Sequence, residues 1–525
     1  MATHAELIAK TLARAGVRNL FGLPGGEIVS FIDACRREGL RFILAGHETS
    51  AAYMAQVTGH LSGTPGVCAA TLGPGATNLV TGVANAFLDR APLLAFTAQL
   101  PAASLATMSH QRLALDRLFA PVTKTAVTFD GGDSVRLTQS ALELAAAPRP
   151  GPVHLALPSD LAVSQCEPAK DGPERSERRN GAAALAEIAA RIRSCKRPLV
   201  LAGLGAGPSS APLVRAFAGR LAAPYMVTPK AKGILPENDP LFLGVASGMA
   251  IDREIVETLR AADLVIAIGF DPVECDKTWF AEIEVVALDS ARMSEGGYRP
   301  CEAVGDLEAM LAALTAEVAP KPWSPDLLAA RRRAINRTPA EGGGGLSPLR
   351  LIEELRGVMP PDTIAACDVG SHKLVMGQFW RTDQPGTFLV SNGLSGMGFG
   401  LPAALAAQLT YPDRPVMAAV GDGGMLMTLH DLVLLRELNL PVIVVVFSDA
   451  SLSLIRVSQH RRGLEPYGVD FTGPDFAAVA CAFGIPGRRA KSAAEVRAAV
   501  ESALEGRTPL VLDVAVDFRE YYELV

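Results

Sequence analysis

Residues 416–456 read VMAAVGDGGMLMTLHDLVLLRELNLPVIVVVFSDASLSLIR, and this stretch narrows the possible folds more than any other in the chain. An apolar run, 416–420, stops at Gly421-Asp422-Gly423-Gly424; a helical pattern follows to about Leu438; a β-branched run, 442–447, then stops at Ser448-Asp449. Short Val- and Ile-rich runs on either side of an amphipathic helix suit two parallel strands buried on both faces. Both loops then open at the carboxyl edge of one sheet.

That arrangement brings two carboxylates together. Asp422 and Asp449 lie 27 positions apart, each just after a strand. The three glycines remove side chains that would keep an anion from the backbone N–H groups there. Mg²⁺ prefers hard oxygens in octahedral array and is usually held by one or two carboxylates together with substrate phosphate oxygens, so the pair suits Mg²⁺ with a diphosphate. The backbone carbonyl of Ser451 is a third candidate ligand. Taken alone, GDGG also reads as a tight strand-to-helix turn, with Asp449 capping its loop.

With 525 residues the chain is too long for one hydrophobic core, and three domains fit the motif map below. A formal net charge of −6 without a basic block argues against a nucleic-acid partner. The eight cysteines are scattered, with no CxxC and no Cys/His cluster, and read as reduced thiols. No apolar run reaches bilayer length, and the opening helix carries His4, Glu6, Lys10 and Arg14 in place of a signal-peptide core. No membrane association and a cytoplasmic location are the expectations.

Residues 1–165 alternate helical segments (5–15, 27–37 and onward from 49) with strand-like ones (19–22, 42–45, 66–71, 153–157). This is the pattern of a wound parallel sheet. Leu23-Pro24-Gly25-Gly26 and Gly73-Pro74-Gly75-Ala76-Thr77-Asn78 fall where strands end and helices begin, and such loops line clefts. Glu48 follows the strand at 42–45. A glutamate in a first helical turn often only complements the helix dipole. A second α/β unit spans 186–320 and contains Gly203-Leu204-Gly205-Ala206-Gly207, but no acidic residue follows a second strand to complete a dinucleotide fingerprint. A third unit, 346–525, includes Gly370-Ser371-His372 and the run from Ser391 to Pro402. The charged stretch 166–185 and the segment 321–346, with its run of glycines, read as linkers.

Gly421-Asp422-Gly423 followed by the polar pair Ser448-Asp449 resembles the signature of thiamine diphosphate enzymes. Residues 21–99, with FGLPGG, the pair His47-Glu48, TLGPGATNLVTGVANAF and RAPLLAFTAQ, resemble the pyrimidine-binding domain of the acetolactate synthase group within the 2-oxo-acid decarboxylase superfamily. The resemblance implies three consecutive α/β domains with mainly parallel sheets, a thiamine diphosphate-binding fold occurring twice around a central Rossmann-like domain. It implies that Glu48 activates the cofactor through the pyrimidine nitrogen N1′, with Pro24, Gly25 and Asn78 in the same domain. It further places Gly370, Ser371 and His372 on the diphosphate, Met397 beneath the cofactor, and the Ser395 backbone against its 4′-amino group. Gly421, Asp422, Gly423, Gly424, Asp449 and Ser451 then form the metal and diphosphate loops, with Asp422, Asp449 and Ser451 as Mg²⁺ ligands.

The implied reaction is decarboxylation of a 2-oxo acid through an enamine, which is then protonated or ligated to a second carbonyl. A 2-hydroxyacyl-CoA lyase or oxalyl-CoA decarboxylase-like enzyme and a catalytically silent cofactor-binding homologue are the alternatives. The implied assembly is a homodimer or homotetramer with active sites at subunit interfaces. His110, Gln111 and Leu454 are candidate substrate contacts. Several residues depart from the family pattern. Ser448-Asp449 stands where Asn-Asn is usual and adds a negative charge, and Ser458 stands where a selectivity tryptophan is usual. The segment 268–274, Ile-Gly-Phe-Asp-Pro-Val-Glu, lacks the arginine of the FAD-bearing relatives, which counts against FAD.

Overall fold

The computed structural model describes residues 2–105, 107–166, 182–246, 248–275, 278–340 and 345–525. Most of the expected linker 166–185, and all but one of the glycines at 342–345, lie outside the described residues.

Among the described residues, eighteen strands form three six-stranded sheets in which every laddered pair is parallel. The first contains β1 (Asn19–Leu23), β2 (Arg41–Leu44), β3 (Gly66–Ala70), β4 (Leu93–Gln99), β5 (Thr125–Thr128) and β6 (Pro152–Pro158), in the order β2-β1-β3-β4-β6-β5. The second contains β7 (Pro198–Ala202), β8 (Tyr225–Val227), β9 (Phe242–Val245), β10 (Leu264–Ile268), β11 (Val285–Asp289) and β12 (Cys301–Val304), in the order β12-β11-β10-β7-β8-β9. The third contains β13 (Ile364–Cys367), β14 (Phe388–Val390), β15 (Val416–Gly421), β16 (Ile443–Ser448), β17 (Gly487–Ala490) and β18 (Leu510–Ala515), in the order β14-β13-β15-β16-β18-β17.

Parallel strands covered on both faces must be apolar on both. Accordingly β3, β4, β6, β7, β10 and β11 are buried at every position. The expected helix after β15 is two short helices, Asp422–Thr428 and Leu432–Glu437, joined by a 3₁₀ turn. No described helix is long and apolar enough to cross a membrane, and every described cysteine is a free thiol.

Contacts divide the chain into two compact units. One takes in 1–176, 393–412 and 428–440; the other takes in 177–392, 413–427 and 441–525. The first sheet thus recruits two segments that follow it in sequence by more than 200 residues, and one of them carries Ser395 and Met397.

Candidate functional site

In the first unit the site begins with two helices at the carboxyl edge of the sheet. Glu48 opens the helix Glu48–Ser62, capped by His47, whose Nδ1 accepts from the Thr49 N–H at 3.1 Å. Asn78 lies on the helix Pro74–Leu88, and its Nδ2 donates to Glu48 Oε2 at 2.9 Å. Thr49 Oγ1 returns a hydrogen bond to the Asn78 carbonyl at 2.7 Å, so the two helices are tied reciprocally. Glu48 is only 4% exposed. Its Oε1 faces Gly75, where an added Cβ would come within 3.3 Å of it.

The loop after Ser391 lies against the same helix. Gly393 N–H donates to Asp89 Oδ1 at 2.9 Å. Gly396 backbone packs on the Tyr53 hydroxyl, and Phe399 meets the Tyr53 ring edge-on at 5.4 Å. Ser395 sits between these contacts with a φ of 55°, a left-handed conformation that few non-glycine residues adopt. The fold therefore brings Ser395 and Met397 into the unit of Glu48. Gln111, also left-handed at φ 55°, lays its side chain against Gly73, whereas His110 is exposed. Pro24 is exposed and Gly25 backbone touches Thr71.

In the second unit Asp422 stands at the end of β15. Its Oδ1 accepts from Gly423 N–H at 2.8 Å, and its Oδ2 accepts from Asp449 N–H at 3.0 Å and Ala450 N–H at 2.6 Å. Asp449, at the end of β16, accepts from Ser451 N–H at 3.1 Å and Ser453 Oγ at 2.6 Å. Burial raises Asp422 above the usual carboxylate range. Burial, with the Asp422 charge adding to it, raises Asp449 to about 7. Buried carboxylates raised by burial and by a neighbouring negative charge, Asp513 for Asp422 and Asp422 for Asp449, mark a place where a cation lowers the energy. Sequence reasoning missed a third: Asp513 on β18 is 3% exposed and accepts from Ser448 Oγ at 2.6 Å. Its position inside the apolar strand 510–515 was the available signal. Asp422, Asp449 and Asp513 line a cavity of about 580 Å³, together with Phe476, Arg489 and Arg519.

His372 lies beside this pair. It stacks on Phe447 with ring centroids 5.3 Å apart, and its ring fills the space that a side chain at Gly421 would occupy. Burial lowers its pKa to about 3, so the ring is neutral. His372 Nε2 and Ser371 Oγ are buried without a hydrogen-bond partner. The missing side chain at Gly424 admits Asp368. Ser451 is buried and Leu454 half-buried. No cluster of three or more His, Cys, Asp or Glu able to hold a metal occurs among the described residues. The donor set is a carboxylate pair with unpartnered polar groups nearby. That fits a Mg²⁺ sharing its coordination with phosphate oxygens and does not fit an all-protein cage.

The glycine loop of the second sheet has a different filling. Glu274 Oε2 accepts from Leu204 N–H at 2.9 Å, placing the protein's own carboxylate on the loop's backbone. Phe270 backbone packs on Gly203, while Gly269 and Asp289 Oδ2 pack on Gly205. Burial raises both Glu274 and Asp289 to about 7. An incoming phosphate would meet carboxylates and backbone here, so these residues do not fit a dinucleotide.

Three parallel sheets, with glycine-bordered carboxylates at the strand ends of the first and third, define the class. Residues 2–118, 185–314 and 368–514 match, in turn, the N-terminal TPP binding domain, the central domain and the C-terminal TPP binding domain of thiamine pyrophosphate enzymes. The probable acetolactate synthase large subunit of Methanocaldococcus jannaschii is 33% identical, covering 99% of this chain and 93% of its own. The acetolactate synthase of Bacillus subtilis is 29% identical over 99% and 94%. The acetolactate synthase isozyme 2 large subunit of Escherichia coli is 31% identical over 98% and 95%. The chain belongs to the acetolactate synthase family of thiamine pyrophosphate enzymes.

Proposed function

We propose that this protein catalyses the thiamine diphosphate- and Mg²⁺-dependent decarboxylation of a 2-oxo acid and passes the remaining carbon fragment to a proton or a second carbonyl. The observation that carries the reading is Glu48, a buried carboxylate with one oxygen held by Asn78 and the other facing a glycine. When bound, thiamine diphosphate supplies a carbon nucleophile and an electron sink. Glu48 holds a proton at the pyrimidine nitrogen N1′, and Asn78 fixes its orientation. Pro24 and Gly25 border the same strand-end cleft, and the Ser395 backbone and the Met397 side chain would hold the cofactor there, Ser395 at its 4′-amino group.

Asp422, Asp449 and the Ser451 carbonyl hold Mg²⁺, while Gly421, Gly423 and Gly424 leave the backbone open to the diphosphate. Gly370, Ser371 and His372 complete that seat, the Ser371 hydroxyl providing a donor that no protein group uses and the buried His372 ring standing beside it with its Nε2 unpartnered. His110, Gln111 and Leu454 contact substrate. The central domain carries no flavin, since Glu274 and Asp289 occupy the strand ends where its phosphates would lie. The working assembly is a homodimer or a homotetramer, with sites completed between subunits.

The test is a panel of 2-oxo acids with thiamine diphosphate and Mg²⁺, followed by CO₂ release and product NMR. Absence of CO₂ across the panel overturns the reading. Glu48→Gln should still bind the cofactor while its C2 proton exchange slows by roughly 100-fold or more, the range of a lost acid–base group. Unchanged exchange in that variant removes Glu48 from its role.

A further inference from the structure

Glu27 is a second carboxylate in the cleft of Glu48. It follows β1, which pairs with β2 on one side and β3 on the other, so it stands between Glu48 beyond β2 and Thr71 beyond β3. Thr71 Oγ1 donates to Glu27 Oε2 at 2.8 Å. Thr71 Cγ2 and Glu48 Oε1 both lie within 3.3 Å of the point where a Cβ on Gly75 would stand. Thr71 thus links the two carboxylates: its hydroxyl holds Glu27 and its methyl group shares with Glu48 the space left open at Gly75, while Gln111 lies against the neighbouring Gly73.

The ordinary role of such a glutamate is to complement a helix N-terminus. Here the helical turn Gly26–Ile28 has three residues and no side-chain cap, and the carboxylate is turned to Thr71 instead. Glu27 is half-buried, and among the described residues no Lys, Arg or His pairs with it. An uncompensated charge of this kind acts on whatever enters the cleft.

We propose that Glu27 is a specificity-determining residue that disfavours an anionic second substrate. The carbon fragment left by decarboxylation then goes to a proton or to an uncharged carbonyl compound, and not to a second 2-oxo acid. This rests on the proposed function above. The first 2-oxo acid loses its charge from the site as CO₂, which relieves the repulsion. An acceptor 2-oxo acid would keep its carboxylate into the product, so it would face Glu27 throughout. In the favoured step a C–C bond forms to the acceptor's carbonyl carbon, the π pair moves to oxygen, and that oxygen takes a proton. With a proton as acceptor, a C–H bond forms from the same electron pair. Neither course consumes an oxidant or a reductant. Repulsion between like charges brought into one half-buried site corresponds to roughly one to two orders of magnitude in affinity.

The experiment is product NMR on one 2-oxo acid, alone and with an equal concentration of a neutral aldehyde, for the wild type and Glu27→Gln. Glutamine keeps the acceptor for Thr71 and removes the charge. The wild type should favour aldehyde or aldehyde-ligated product over self-ligated acid by about tenfold, and Glu27→Gln should raise the self-ligated share at least about fivefold. Cofactor affinity from fluorescence titration and C2 proton exchange should stay within about twofold, because Glu48 is untouched. Self-ligated acid as the main wild-type product, or an unchanged partition in Glu27→Gln, overturns the assignment while leaving the proposed function standing. A wild type that binds no cofactor and releases no CO₂ overturns both. Should Glu27→Gln not fold, the wild type still decides. Raising salt from about 0.05 to about 0.5 M should selectively lower the apparent KM of an anionic acceptor, and equal salt effects on anionic and neutral acceptors overturn the proposal.

Discussion

Gly75 shows how little room separates the groups of the first unit. A methyl group there would press on Thr71 Cγ2 at 3.0 Å and on Glu48 Oε1 at 3.3 Å, distances at which a neighbour must give by a few tenths of an ångström. Its backbone is an ordinary helical first turn, so Gly75→Ala should leave stability nearly unchanged. The Thr71 methyl is pressed first and the Glu48 carboxylate with it, so C2 proton exchange of the bound cofactor should fall about tenfold, the scale of a small displacement at a reacting centre. Exchange at the wild-type rate would show that the carboxylate tolerates the shift.

Glu274 supports a pH prediction of defined sign. Burial raises it from 4.5 to about 7, so between those values the folded protein holds a proton that the unfolded chain has released. Its contribution is complete below about 4.5 and is lost as pH rises through about 7, with a span on the order of 3 kcal/mol. Asp289 acts in the same direction, while the buried, neutral His154 and His372 act oppositely, favouring the folded state as pH rises towards 6.5. The useful quantity is therefore a difference. The Tm gap between wild type and Glu274→Gln should move in favour of the variant from pH 5 to pH 8. A constant gap would contradict the assignment.

At the scale of elements, strands inside the sheets were legible and, β2 apart, the edges were not. β3, β6, β15 and β16 fall within a residue of the sequence reading at either end, because strands covered on both faces must be continuous apolar runs. The edge strands β5, β12 and β17 present mixed faces, and β17 reads Gly-Arg-Arg-Ala with only its last residue buried. Nothing in such a segment distinguishes it from a loop. The candidate site divides similarly. Motif residues beside glycines, such as Glu48, Asp422 and His372, could be singled out; Asp513 left only the sign of a charge inside an apolar run, and Thr71 becomes visible only when parallel pairing sets the ends of β1 and β3 beside one another.

The 393–400 loop is the element on which folding and site meet. Asp89, fully buried, accepts from Gly393 N–H at 2.9 Å, Gln56 Nε2 at 3.1 Å and Asn85 Nδ2 at 3.2 Å. Asp89→Asn replaces an acceptor oxygen with a donor among donors and should cost about 2–3 kcal/mol. It also releases the loop that carries Ser395 and Met397. A lower Tm together with cofactor affinity weakened about tenfold is the expected result. A lower Tm with unchanged affinity would separate the loop from the cofactor.

For the whole molecule, ligand linkage tests the division of labour among the three sheets. A ligand that binds only the folded chain stabilises it by about 2.7 kcal/mol at 100 times its Kd. Thiamine diphosphate and Mg²⁺ meet a carboxylate pair whose mutual repulsion a cation relieves, with buried polar groups of Ser371 and His372 still lacking partners. Together they should raise Tm by a few degrees, on the order of 2–5 °C. Thiamine diphosphate with EDTA should do so much less, since its diphosphate would then face Asp422 and Asp449 without the ion between them. FAD and ADP should leave Tm unchanged, because Leu204 N–H already holds the Glu274 carboxylate and Asp289 packs on Gly205. A rise with FAD alone would mean that Glu274 swings out of the glycine loop at a cost the flavin phosphates repay, and Glu274→Ala should then strengthen FAD binding further.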